Sequence, residues 1–162
     1  MATPQGILVF EVKDYSGWLF GNGYSKHWTQ VLAFGKERHQ FYNPILQNHA
    51  HIAALRKLMP NNPNVTIFNI VVFYGNCEFK DLDYGTSGWV RVIYNTQVVE
   101  LVNHIKTLPP TEYGNKWEVA AILAEGVCNG RNPEIRQAQI SLAARAKANS
   151  HEYHTYSSGW HF

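Results

Sequence analysis

Glu11 and Lys13 lie two residues apart at the end of the apolar run "ILVFEVK". Strand side chains alternate between faces, so this spacing sends an acid and a base to one side while Phe10 and Val12 face the other. A carboxylate can hold a divalent cation, which polarises a phosphate and lowers the pKa of an attacking water. A neighbouring lysine can orient that water and offset charge on the phosphate. Glu11 and Lys13 are therefore candidate catalytic residues for phosphodiester hydrolysis, with Glu11 the candidate metal ligand. The competing reading of the same tripeptide is a solvated strand end with a surface ion pair.

Gln47 is the third candidate. It lies one turn into a helix that opens at "NPILQ", with Asn43 as N-cap and Pro44 in the first turn. Helix N-termini favour anions, so a glutamine there can reach a scissile phosphate or a metal-bound water. The alternative is a solvated side chain. His49 and His51 are two apart on this helix, do not face each other, and form no chelating pair. "HEYH" at 151–154 does not have the H-E-x-x-H zinc spacing and reads as surface. Trp18, Phe20, Trp28 and Phe34 have faces on which bases could stack, or they fill the core.

These side chains need elements to hold them. "GILVFEVK" (6–13) predicts a strand, and the glycines around "GNG" (21–23) predict a hairpin. Residues 29–42 read as a further strand plus a loop. Residues 43–59 predict a helix with a stripe of Ile45, Ile52, Leu55 and Leu58. "VTIFNIVVFYG" (65–75) is apolar nearly throughout, as expected for a central strand covered on both faces. "WVRVIYN" (89–95) predicts another strand, and "TQVVELVNHIKTL" a helix ended by Pro109 and Pro110. "EVAAILAEGV" and "NPEIRQAQISLAARAKA" predict two more helices, before the polar and aromatic tail.

The 162-residue chain is long enough for one domain with a real core. It is 45% apolar, 14% aromatic and only 16% charged, which excludes a disordered chain. The net charge of +2 gives no strong basic footprint. Cys77 and Cys128 form no C-x-x-C pair and read as reduced, buried thiols of a cytoplasmic protein. "MATPQG" lacks the features of a signal peptide, and no apolar run approaches the ~20 residues of a membrane span.

In order, "GILVFEVKDYSGWLFG", Trp28 and "NPILQNHAHIAAL" resemble the nuclease-related domain (NERD) family, placed among nucleases of the PD-(D/E)XK fold. Its pattern is an acidic residue, then E-x-K on a strand with glycine following, then an N-P-x-x-Q helix. Glu11, Lys13, Gly17, Asn43, Pro44 and Gln47 match. The resemblance covers residues 6 to 75. It implies an α/β fold with a mixed central sheet and flanking helices, a restriction-endonuclease-like core. It also implies hydrolysis of DNA phosphodiester bonds with magnesium or manganese. Glu11 would bind the metal, Lys13 would orient the water, and Gln47 would support metal or phosphate.

The family pattern also places an aspartate well upstream of Glu11, whereas "MATPQGILVF" holds no acid. The expectation is a copy of the domain over 1–150 without its first strands and that aspartate, followed by a tail at 151–162. Two functions follow: a metal-dependent nuclease, or a catalytically incomplete domain that binds nucleic acid or a protein. A second carboxylate within about 4–6 Å of Glu11 favours the enzyme, and Glu11 alone with Lys13 favours binding. Asp14 should face away from Lys13, leaving Asp81, Asp83 or another chain as sources. DNA is one expected partner and a second copy, paired along an exposed sheet edge, another. No membrane is expected.

Overall fold

A computed structural model describes residues 1–84, 88–138 and 141. In chain order the elements are β1 (Ala2–Thr3), β2 (Gly6–Asp14), β3 (Gly17–Asn22), β4 (His27–Leu32), β5 (Glu37–Tyr42), α1 (Pro44–Leu58), β6 (Ile67–Tyr74), β7 (Cys77–Asp83), β8 (Val90–Tyr94), α2 (Val98–Lys106) and α3 (Lys116–Arg131). The chain divides into two compact units, Met1–Glu118 and Val119–Phe162. Both sheets, α1 and α2 belong to the first. In the second, α3 ends at Arg131, and Asn132 caps a helical segment at 133–138 by accepting from the Glu134 and Ile135 amides.

The first sheet has the order β1-β2-β6-β8, with β2, β6 and β8 parallel and β1 antiparallel. β6 is central and buried along its length except at Tyr74. Its period of two explains why a nearly unbroken apolar run, interrupted only by Asn69, is needed. Phe68, Ile70 and Val72 join Leu8, Ile93 and Ile105 in one core, with Val98, Leu101 and Val102 of α2 packed on it. Val71 and Phe73 join a second core with Leu19, Trp28, Ile45 and Val92. That second core receives the second sheet, of order β5-β4-β3-β7, and the start of α1. The expected α/β class and mixed strand pairing hold, with the strands shared between two four-stranded sheets.

The two sheets share a pair of chains. β2 runs parallel to β6 up to Asp14 opposite Tyr74, and β3 resumes parallel to β7 at Gly17 opposite Cys77. The pair bends between these points and stays bonded through Tyr15 N to Tyr74 O (3.2 Å) and Gly17 N to Asn76 O (3.0 Å). Gly75 makes the bend with φ +89°, and a Cβ there would meet the Tyr15 carbonyl and Asp14 Oδ1, each at 2.6 Å.

Three expectations are corrected. Leu58 was expected on the buried stripe of α1 but is 62% exposed. Thirteen residues beyond Ile45, the 3.6-residue repeat has turned it off that stripe, and Met59 is buried instead. Cys128 is exposed on α3 rather than buried. Cys77 is partly buried, and that burial pushes its thiol pKa up. β7 is an unforeseen strand: "CEFKDLD" carries four charges, as an edge strand tolerates, while Phe79 and Leu82 pack against the second core. The tail at 151–162, with "HEYH", lies outside the described residues, as does most of the last expected helix. No described helix is long and apolar enough to cross a membrane.

Gly75→Ala should destabilise the fold by more than about 1 kcal/mol, from the left-handed backbone and the collision with the Tyr15 carbonyl together. Urea unfolding would read this as a lower midpoint with an unchanged slope. A midpoint equal to that of the unmutated protein would mean that the bend has another backbone solution.

Candidate functional site

Buried amides seat α1. Asn43 Oδ1 accepts from the Ile45 amide at 2.9 Å, capping the helix, while its Nδ2 donates to the Asn22 carbonyl (3.0 Å) and the Ser25 carbonyl (2.8 Å). The helix start is thus tied to the β3–β4 hairpin. One turn on, Asn48 is fully buried and donates from Nδ2 to the Val9 carbonyl (2.9 Å) and to Asn69 Oδ1 (2.8 Å). Asn69, on β6, donates back to the Ile45 carbonyl at 3.2 Å. Ile45 and Asn48 therefore face β2 and β6.

That seating brings the adjacent helix edge over the end of β2. Glu11 and Lys13 share a face, as their spacing requires, and Lys13 Nζ lies 2.8 Å from Glu11 Oε1. Lys13 Nζ also donates to Gln47 Oε1 at 2.9 Å. The three expected site residues are thus brought together. The Glu11 and Lys13 side chains are only 13% and 18% exposed, so the pair is not the solvated strand end of the competing reading. A fourth residue joins them: His51 Nε2 lies 3.5 Å from Glu11 Oε2, with its side chain 58% exposed. Glu11 thus divides its oxygens, one to Lys13 and the other toward the imidazole.

His51 was not among the sequence candidates. The readable signal was its separation from Gln47: residues i and i+4 share one face of a helix. His49 does face elsewhere, lining a cavity with Ile52, Arg56, Asn69 and Trp89. Asp14 is exposed at the bend beside Gly75, and Asp81 and Asp83 are carried on β7 at an edge of the second sheet. Among the described residues no three His, Cys, Asp or Glu side chains are grouped to hold a metal ion. Of the aromatic candidates, Trp28 is core, stacked on Phe73 with centroids 6.1 Å apart. Trp18 lies partly buried under the Lys80 ammonium, Phe20 is partly buried, and Phe34 is 97% exposed.

Adjacent residues of α1 should separate site from scaffold. Asn48→Ala strands the Val9 carbonyl and Asn69 Oδ1 and should cost about 1–3 kcal/mol, whereas Gln47→Ala leaves Lys13 its carboxylate partner and should cost less than about 1 kcal/mol. Equilibrium unfolding of the two variants checks this; equal losses would contradict the division.

Residues 1–74 match the family model described as the nuclease-related domain. An uncharacterized protein of Bacillus anthracis is 31% identical over 90 residues, which is 56% of this chain and 41% of that protein's length. No solved structure matches the chain. The matched segment contains β2, α1 and β6, and with them Glu11, Lys13, Gln47 and His51. Over residues 1–74, then, this chain is similar to the nuclease-related domain family.

Proposed function

We propose that this chain hydrolyses DNA phosphodiester bonds with a divalent cation held at Glu11. The observation that carries the reading is the Lys13 ammonium, held 2.8 Å from Glu11 Oε1 and 2.9 Å from Gln47 Oε1 at the mouth of a half-buried site. The Glu11 carboxylate suits a hard cation, since its Oε2 is turned away from Lys13 and toward solvent-exposed His51. A bound cation supplies Lewis acidity to the phosphate and to an attacking water.

The chain's own groups do the rest. A charged lysine has three donors and no acceptor. Lys13 therefore orients the water through its oxygen and offsets charge on a non-bridging phosphate oxygen, without acting as the base. Gln47 gives its carbonyl to Lys13, which leaves the amide NH2 to donate to a phosphate oxygen. Its place near the start of α1 adds the positive end of the helix dipole.

A second reading is a domain that binds nucleic acid without cutting it. It is favoured by Glu11 being in contact with Lys13 and His51 but grouped in no three-ligand cluster among the described residues.

Plasmid and single-stranded DNA incubated with magnesium or manganese should be cleaved, and Glu11→Ala and Lys13→Ala should each slow cleavage about a hundredfold or more. If the unmutated protein retards DNA in a gel at high concentration yet cuts neither substrate with either metal, the binding reading replaces the enzyme.

A further inference from the structure

We infer that His51 is a second protein ligand, beside Glu11, for a divalent first-row transition ion. This rests on the metal-dependent reading above and specifies its metal. Three observations carry it. The first is the gap: His51 Nε2 and Glu11 Oε2 are 3.5 Å apart, too long for a charge-assisted hydrogen bond of about 2.7–2.9 Å. Two ligands at about 2.0–2.2 Å from one ion stand about 3.0 Å apart at a right angle and about 3.4 Å apart at the tetrahedral angle. The two atoms are therefore separated by what one ion requires between them, to within a small side-chain adjustment.

The second observation is the division of the carboxylate. Lys13 is held on Oε1, and Gln47 Oε1 gives its ammonium a second acceptor. The lysine is thereby kept off Oε2, the oxygen that faces the imidazole. The third is access. The His51 side chain is 58% exposed and Glu11 13%, so the imidazole reaches solvent while the carboxylate lies at the floor. An ion enters past His51, and water or a phosphate oxygen completes its coordination.

The donor pair sets the metal. Magnesium takes oxygen ligands in near-octahedral geometry, whereas an imidazole nitrogen suits manganese, cobalt and nickel increasingly well, and zinc also. A mixed carboxylate–imidazole site thus favours a transition ion, and His51 gains its role from nitrogen chemistry that a second carboxylate would not supply.

The test uses the full chain and manganese alone, read by electron spin-echo envelope modulation, which detects a nitrogen bound directly to the ion. The expected result is imidazole-nitrogen modulation in the unmutated protein and in His49→Ala, and its loss in His51→Ala. Titration by calorimetry should then show manganese affinity falling about tenfold or more in His51→Ala. Magnesium affinity should stay within about twofold. Glu11→Ala should abolish the site for both ions. Manganese bound in a Glu11-dependent way with no nitrogen modulation, or with modulation that survives His51→Ala, would overturn the ligand role and leave the nuclease reading standing. No manganese bound at millimolar concentration would overturn both.

Discussion

The paired amides of Asn48 and Asn69 are the constraint on which the rest depends. Asn48 is fully buried between helix and sheet and bonds both to the Asn69 side chain and to the backbone of β2. Asn48 Oδ1 is buried without a partner, but stranding its Nδ2 donor or the Asn69 Oδ1 acceptor as well would cost about 1–3 kcal/mol, which favours the rotation of α1 that makes these bonds. An apolar contact alone would let the helix slide or turn with little penalty. The fixed rotation is what places Gln47 against Lys13 and His51 over Glu11.

Around that contact the molecule solves a topological problem. A parallel strand pair needs cover on both faces, and here one face is covered by α2 while the other receives α1 and the second sheet. The second sheet is reached by bending the same strand pair at Gly75, immediately after Lys13 and Asp14. The site therefore sits where the first sheet stops, at the C-terminal end of β2. Chain ends of parallel strands in open α/β sheets are where ligands commonly bind, because neighbouring connections leave the sheet in different directions.

Much of this was legible in the sequence. The N-cap at Asn43, the limits of α1, the two-sided burial of β6 and the convergence of Glu11 and Lys13 all follow from local rules of spacing and capping. The sequence also carried the Gln47 position, because the cap fixes where the first helical turn lies. Three features were not legible, each for a physical reason. Asn48 reads as a polar break in an apolar stripe, since only tertiary contact reveals that its amide is matched by Asn69, 21 residues away. β7 carries a charge at four of its seven positions, which masks the strand, because an edge strand needs only part of one face to be apolar. The approach of His51 to Glu11 joins a helix to a strand 40 residues earlier, a pairing that local spacing does not show. The group that faces Glu11 Oε2 is an imidazole.

The division of labour along α1 also bears on how such a domain can change over time. Asn48 bonds to the backbone of β2 and to Asn69, whereas the residue before it bonds to Lys13. Replacements at 47 or 51 therefore meet little resistance from folding. Under the proposed function, single substitutions there would shift a lineage from cutting to mere binding, or from one metal to another, and leave the architecture intact. The scaffold is in this sense a chassis on which the chemistry is only lightly bolted.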